Sequence, residues 1–191
     1  MRHIIIFFCL ITMPFTSSIA QNKKSNTTTP KSTTVGLTPI TIVQNFLGWY
    51  KDHYRRLYKY KMTYIDTAGN YRVNIKDCNA YFNEILASGY VSQEYRRLWS
   101  DYCTSQDEKF IISPQNEGPP EGFDMDLVLH TQEPDEVTQN YKNFKYKVDK
   151  INASNAVILV DTNWPDWVYV FELSKTKDRW CIDYISIKEP D

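Results

Sequence analysis

The sequence predicts a mixed α+β fold in which a long N-terminal helix and short helices pack against an antiparallel sheet. After residue 39, apolar residues recur at alternating spacings of three and four, which is typical of an amphipathic helix. Between residues 144 and 185, four β-prone runs follow one another with short polar connections, which is typical of an antiparallel meander. Because such a sheet must cover its apolar face, we expect the helices to lie on it.

The first 20 residues have the pattern of a secretory signal peptide. Arg2 and His3 precede an apolar run over residues 4–15, and Ser18 and Ala20 are the small residues expected before a cleavage point. The run is too short for a transmembrane helix, which needs roughly 20 apolar residues. These patterns predict an exported protein, periplasmic or extracellular, without a transmembrane segment.

The remaining chain is predicted to be a tether followed by one domain. Residues 21–36 contain almost nothing to bury and are predicted to be disordered, while residues 37–191 have the length of a single α+β domain. The whole chain carries 22 basic and 23 acidic residues. This balance argues against a nucleic-acid binder. The sequence has no nucleophile elbow or phosphate loop, so we predict no cofactor.

The first helix is predicted to begin at Thr38, with Pro39 in its first turn. Its apolar stripe consists of Ile40, Val43, Leu47, Tyr50, Tyr54 and Leu57. Basic and aromatic residues also alternate over residues 50–64, a run that could bind nucleic acid or an anionic glycan. An outward helix face normally carries such charges, so we interpret the run as the solvated side of the helix.

Two further helices are predicted between residues 77 and 102. Before them, two β-prone runs around residues 68–70 indicate a small hairpin or only a turn. Asp77 is predicted to cap a helix that Gly89 ends, and Ser92 to cap a second helix. Their short connection predicts that they pack antiparallel.

Antiparallel packing would bring Cys78, near the start of the first of these helices, next to Cys103, near the end of the second. An exported protein permits a disulfide, which would contribute about 2 to 4 kcal/mol to stability. A Cys78–Cys103 disulfide and two separate buried thiols are equal alternatives. Cys181 would be a free thiol in the core. The three cysteines lack zinc-site spacing, so no metal site is predicted.

The second half of the chain is predicted to be mostly strands. Residues 109–112 indicate a short strand, and residues 113–121 a loop rich in proline and glycine. Residues 123–131 alternate apolar and polar side chains, as a half-buried strand does. Residues 133–138 are predicted to be an acidic turn. The meander then comprises strands over residues 144–150, 156–162, 168–173 and 180–185.

Five short segments occur along the chain in an order typical of a known family. They are residues 43–50 (Val-Gln-Asn-Phe-Leu-Gly-Trp-Tyr), 71–74 (Tyr-Arg-Val-Asn), 88–92 (Ser-Gly-Tyr-Val-Ser), 122–126 (Gly-Phe-Asp-Met-Asp) with Thr131 and Gln132, and 180–183 (Trp-Cys-Ile-Asp). Together they resemble the exported bacterial family catalogued as domain of unknown function 3828, which is similar to the nuclear-transport-factor-two-like, or cystatin-like, superfamily. The resemblance implies a curved sheet wrapped around a long helix, commonly with a cone-shaped cavity. It implies no catalytic residue.

Asp124 and Asp126 are the first candidate site residues. On a strand they would share one face with His130, and neighbours two apart on that face lie about 7 Å from each other. The two aspartates could therefore bracket a cation, or act as acid and base on a polar substrate. We prefer the alternative, in which the carboxylates hydrogen-bond loop amides and hold the preceding connection. His130 lies four residues beyond Asp126 and is more often a surface or satisfied residue.

Trp164 and Trp167 are the second pair of candidates, in a predicted loop within the meander. Tryptophan at a loop tip can stack on a sugar or anchor a protein partner, and it can equally fold back as a lid on the core. The leading hypothesis is a non-catalytic binding module of the cell envelope that uses the sheet concavity and this loop for a small ligand, glycan or protein segment. The alternatives are a small cavity enzyme that uses Asp124 and Asp126, and an inhibitor or immunity-type protein that binds another exported protein.

Overall fold

The computed structural model describes residues 36–163 and 167–188 and shows a mixed α+β fold. The described residues form four α-helices and two antiparallel sheets, as the sequence predicts at this level. The helices are α1 (Pro39–Leu57), α2 (Ile75–Ala87), α3 (Gln93–Ile112) and α4 (Pro134–Asn140), and a 3-10 turn over Tyr141–Asn143 follows α4. The strands are β1 (Thr63–Ile65) and β2 (Tyr71–Val73) in the small sheet, and β3 (Lys145–Ile151), β4 (Asn155–Asp161), β5 (Val168–Thr176) and β6 (Arg179–Lys188) in the large sheet.

Two of the predicted helix caps are confirmed. The Thr38 hydroxyl accepts a hydrogen bond from the Thr41 amide at 3.2 Å, and the Ser92 hydroxyl accepts one from the Tyr95 amide at 3.1 Å. Each hydroxyl satisfies an amide that has no partner within the first turn of its helix. α1 and α3 therefore begin where their local sequences predict.

The cap of α2 is Asn74, and the prediction of Asp77 as the cap is wrong. The Asn74 side chain accepts a hydrogen bond from the Asp77 amide at 3.2 Å, so the helix begins three residues earlier than predicted. Asp77 lies in the first turn, where the helix dipole favours a carboxylate. Its carboxylate accepts a hydrogen bond from the Lys61 amide at 2.9 Å, which joins α2 to the chain before β1.

α3 continues to Ile112, so the predicted strand over residues 109–112 is wrong. Buried residues recur every three or four positions along the whole helix, which keeps one face on the core through its last turns. They are Tyr95, Trp99, Cys103, Gln106 and Phe110. α3 has 20 residues and α1 has 19, so the predicted contrast between one long N-terminal helix and short helices is not supported.

The small sheet is a hairpin that an ion pair ties to α3. β1 and β2 pair antiparallel across a turn at Gly69, which decides between the two predicted alternatives. The Arg72 guanidinium of β2 donates to both carboxylate oxygens of Asp107, at 2.8 and 2.6 Å. The Val73 amide donates to the same carboxylate at 2.9 Å. Such a two-point pair fixes orientation as well as distance.

The large sheet is an antiparallel meander in the order β3-β4-β5-β6, as predicted. Its inward side chains on β4 and β5 are buried in one apolar cluster with α1. The members from these strands are Ala156, Ile158, Val160, Tyr169, Phe171 and Leu173. β3 is an edge strand and carries exposed lysines at positions 145, 147 and 150, charges that oppose pairing with a further chain.

Residues 134–140 form α4, so the predicted acidic turn over residues 133–138 is wrong. Pro134 is at the start of the helix, and Asp135 and Glu136 lie in its first turn. Proline at this position needs no amide donor, and the helix dipole favours the two carboxylates. Val137 and Thr138 face the interior, and their burial against the core stabilises a helix of only seven residues.

Cys78 of α2 and Cys103 of α3 are both buried thiols in the structure. The two side chains interact: a hydrogen bond with Cys103 is the largest cause that raises the pKa of the Cys78 thiol, and burial acts in the same direction. The antiparallel helices thus bring the two cysteines together, and the disulfide between them stays a prediction. Cys181 is a buried thiol on β6.

Candidate functional site

Residues 122–133 form an irregular loop between α3 and α4, so the predicted strand over residues 123–131 is wrong. The loop contains an isolated antiparallel bridge, in which the Asp126 amide donates to the Thr131 carbonyl at 2.8 Å. His130 has a φ of 51°, a left-handed conformation that strand residues do not adopt. The physical reason is local, because an aspartate side chain that bonds amides two and three residues ahead competes with strand pairing.

Both carboxylate oxygens of Asp126 accept hydrogen bonds from protein groups. One oxygen accepts from the amides of Val128 at 3.0 Å and Leu129 at 2.8 Å. The other accepts from the Tyr50 hydroxyl at 2.6 Å, and the Tyr50 hydroxyl lies 3.1 Å from that of Tyr81. Burial raises the pKa of Asp126 above its usual value, although its three hydrogen bonds act in the opposite direction. The carboxylate therefore joins the loop to α1 and, through Tyr50, to α2.

Asp124 is in a different environment from Asp126. Its side chain is exposed at the mouth of a groove beside the loop, whereas Asp126 lies at the inner wall of the same groove. The structure thus brings both predicted aspartates to one groove, but not as neighbours on one face of a strand. Of the two, Asp126 accepts hydrogen bonds from loop amides, and Asp124 is exposed.

His130 is not at the groove. Its Nε2 atom lies 3.1 Å from the carbonyl oxygen of Ile185 on β6, and its ring stacks on Trp99 of α3 with ring centres 6.1 Å apart. These contacts place His130 between a helix and the sheet. These contacts fit the alternative prediction, in which the ring of His130 is satisfied by protein groups and is not part of a site.

Neither of the two candidate tryptophans is among the described residues that line the groove. Trp164 lies outside the described residues. Trp167 precedes β5, its carbonyl accepts a hydrogen bond from the Thr162 hydroxyl at 3.1 Å, and it is not one of the residues that line the groove. A ligand role for this pair stays a prediction.

The groove has a volume of about 530 Å³ and is open to solvent. It lies between the end of α1, α2 and the 122–133 loop, and most of its wall is aromatic or contains methionine. Its lining residues are Leu57, Tyr58, Tyr60, Met62, Tyr81, Phe123, Asp124, Met125, Asp126, Leu127 and Gln132. A groove of this volume, lined by aromatic side chains together with polar groups, has the size of a small-molecule site. We call it the tyrosine groove.

Sequence patterns missed the tyrosines of this groove. Tyr58 and Tyr60 belong to the basic and aromatic run that was interpreted as the solvated side of the first helix. The available signal was their position after Leu57, where the apolar stripe of the helix ends. Tyr81 is buried on α2 and carries no comparable signal in the sequence.

A charged cluster holds one wall of the tyrosine groove in place. The Glu84 carboxylate accepts hydrogen bonds from Arg56 at 2.9 Å, Lys59 at 2.8 Å and the Tyr60 hydroxyl at 2.8 Å. Burial acts to raise the pKa of Glu84, but the hydrogen bonds from Lys59, Tyr60 and Arg56 outweigh it and lower the pKa to about 2. This carboxylate therefore stays ionised well into the acidic range.

Glu84→Gln is expected to cost about 1 kcal/mol of stability at neutral pH and to remove part of the acid sensitivity. A carboxyl whose pKa is lowered by folding stabilises the fold above its ordinary pKa of 4.5, and this stability is lost as the pH falls towards about 2. The magnitude is small because Arg56 and Lys59 are more than half exposed. Urea unfolding at pH 7, 4.5 and 3 measures both effects. Glu172→Gln, at an exposed position on β5, is the control; profiles that run parallel for all three proteins would contradict the role of Glu84.

The described residues contain neither a group of metal ligands nor a helix suited to a membrane. Within residues 36–163 and 167–188, no three His, Cys, Asp or Glu side chains are grouped as metal ligands would be. In the same ranges, none of the helices combines the length and apolar character that a membrane crossing needs.

Comparisons of this chain with protein-family models, with curated proteins and with solved structures gave no match in any of the three. The geometry and chemistry of the tyrosine groove are therefore the ground on which a function can be proposed.

Proposed function

We propose that the protein is a non-catalytic binding module and that the tyrosine groove holds its ligand. The observation that supports this proposal is the groove itself: an open volume of about 530 Å³ with an aromatic and methionine wall and a polar rim at Asp124 and Gln132. Apolar surface that stays open to solvent beside a well-packed core is characteristic of a binding site.

The hydrogen bonding of Asp126 favours binding over acid–base catalysis. A general acid or base must exchange a proton with the substrate, and it needs an oxygen that is free to reach it. Both oxygens of Asp126 already accept from Tyr50 or from the amides of Val128 and Leu129. Asp124 would then have no carboxylate partner in the groove. The enzyme that uses Asp124 and Asp126 as a pair is therefore the weaker proposal.

We also propose that the protein is exported to the cell envelope or beyond and that it is a distant relative of the family it resembles. The signal-peptide pattern of residues 1–20 supports export. The packing of α1 on the inward side of a four-stranded antiparallel meander supports the resemblance to the cystatin-like superfamily. A cone-shaped cavity belongs to the proposal rather than to the described fold.

Truncation of exposed groove residues is expected to weaken ligand binding without unfolding the protein. A set of small ring-containing compounds is screened by saturation-transfer NMR against the unmodified protein, Tyr58→Ala and Met125→Ala. These two lining side chains are 52% and 42% exposed, so their removal leaves the core intact. We expect binders to lose about tenfold in affinity in either variant, since a contact of about 1.4 kcal/mol corresponds to that factor.

The matched control is Ile151→Ala, a 57% exposed apolar residue on β3 and outside the groove. Binders that keep their affinity in all three variants would show that the groove is not the site. A screen in which no compound contacts the groove residues would also overturn the proposal.

A further inference from the structure

We propose that the ligand of the tyrosine groove is an organic cation, a small molecule whose substituted ammonium group lies among the aromatic rings and next to Asp124. This inference rests on the proposed function and adds the chemical class of the ligand. It comes from the charges that line the groove, the orientation of its rings and the pairing of the basic residues around it.

The lining of the groove is acidic. Among its eleven lining residues, two are aspartates and none is lysine, arginine or histidine. Asp126 is held by three hydrogen bonds from the protein, whereas Asp124 is exposed at the mouth. A wall with carboxylates and without bases repels phosphates and carboxylates and attracts cations.

Three basic residues around the groove are paired with acidic residues. Arg56 and Lys59 lie 2.7 and 2.8 Å from the oxygens of Glu84, and Arg55 lies 2.8 Å from Asp135. None of these three cations lines the groove. Their carboxylate partners are Glu84 and Asp135, and none of the three is paired with Asp124.

The rings of the groove are arranged as walls rather than as a stack. Tyr60 and Tyr81 meet edge to face, with centres 6.2 Å apart and planes at 81°. Ring faces carry partial negative charge and attract cations, and both of these rings line the groove. Tyr58 and Phe123 add further aromatic surface.

One of these rings already contacts a cation that belongs to the protein. The Lys59 ammonium lies 4.7 Å from the centre of the Tyr60 ring. Tyr60 is thus in contact with a positive charge of the protein itself, and the other aromatic residues of the lining are Tyr58, Tyr81 and Phe123. The two lining methionines, Met62 and Met125, add polarisable surface that suits N-methyl groups.

The groove is larger than an ammonium ion alone would fill. About 530 Å³ exceeds what a single ammonium headgroup fills, and Gln132 and Leu127 extend the lining beyond the rings and the carboxylates. The ligand is therefore expected to carry an uncharged tail with a polar group. A neutral sugar would use the ring faces as well, but it would gain nothing from the charge of Asp124, and this difference is what the test measures.

The test compares choline with its uncharged carbon analogue 3,3-dimethyl-1-butanol, which has the same shape and lacks the positive charge. Binding of each is measured from chemical-shift changes of groove residues in the full chain at low and constant salt. We expect choline to bind at least tenfold more tightly than the analogue. Asp124→Asn is expected to weaken choline binding about three- to tenfold and to leave the analogue unchanged. Asp149→Asn, an exposed aspartate on β3, is the matched control and should change neither.

Four results would overturn the inference. If the two probes bind the groove equally, the groove is a binding site but its ligand is not a cation. If ring compounds bind the groove and choline does not, the ammonium class is wrong while the proposed function stands. If nothing binds the groove, the proposed function fails and the inference fails with it. If Asp149→Asn weakens choline binding as much as Asp124→Asn does, the net charge of the protein attracts the probe and the groove does not.

Discussion

Asp126→Ala is expected to destabilise the folded protein by about 3 kcal/mol at neutral pH. The change leaves the amides of Val128 and Leu129 and the hydroxyl of Tyr50 without their acceptor. These three residues are 0% exposed, so only water that enters from the groove can take the place of the carboxylate. Each stranded donor costs about 1 to 3 kcal/mol, and relief of the cost of burying a carboxylate offsets part of the sum. Urea unfolding followed by tryptophan fluorescence measures the difference.

Asp124→Ala is the matched control for this prediction, because the two aspartates are two residues apart in the same loop. Asp124 is exposed, so its removal is expected to change stability by less than about 0.5 kcal/mol. Asp126→Asn keeps one oxygen as an acceptor and should fall between the two. If Asp126→Ala costs no more than Asp124→Ala, then Asp126 does not hold the loop.

Gly122→Ala is expected to destabilise the protein by about 3 kcal/mol. Gly122 has a φ of +79°, which strains a residue with a Cβ atom by about 1 to 2 kcal/mol. A Cβ atom there would also lie 2.5 Å from the Tyr102 hydroxyl oxygen and 2.8 Å from the Gln106 side-chain nitrogen. The Tyr102 hydroxyl donates to the Gly122 carbonyl at 2.8 Å, so it cannot move without losing that bond. Forced movement of packed side chains adds about 1 to 3 kcal/mol.

Gly69→Ala separates the two contributions to this cost. Gly69 has a similar φ of +84°, but a Cβ atom there would meet nothing within 4 Å. Its substitution is expected to cost only the backbone strain, about 1 to 2 kcal/mol. Thermal unfolding of both variants measures the difference. Equal losses of stability would mean that Tyr102 and Gln106 do not restrict the start of the loop.

Both predictions concern how the 122–133 loop is anchored beside the tyrosine groove. Gly122 begins the loop against α3, and Asp126 ties its middle to α1. Between these two anchors lie Asp124 and Met125, which line the groove. The loop is therefore a rigid support for exposed groups, which is the arrangement that a binding site needs.

Much of the fold was predictable because its signals are local. The caps at Thr38 and Ser92 depend on side chains within three residues of the amides that they bond. The meander follows from alternation within each strand and from short connections between strands, and the structure shifts the predicted strand ends by at most three residues. α4 was missed although Pro134 and the two carboxylates after it are a local signal of a helix start.

Other errors arose where local preference and tertiary packing disagree. The Lys-Phe-Ile-Ile run at the end of α3 has β-prone residues, but Phe110 continues the buried face that begins at Tyr95. Alternation over residues 123–131 is that of a strand, yet the Asp126 side chain bonds the amides that a neighbouring strand would use. In each case the deciding contact was made with the folded core or within a tight loop.

The sequence by itself determined the mixed α+β class, the starts of two helices and the antiparallel meander, because caps and hydrophobic periodicity act over a few residues. It also marked Asp124 and Asp126 as residues of interest. Only the tertiary structure decided that Asp126 anchors the loop and that Asp124 is an exposed carboxylate. Tyr50, the partner of Asp126, is 76 residues away in the chain, and the rings of the tyrosine groove come from separate elements. Contacts at that separation depend on how helices and loops pack, which no local pattern specifies.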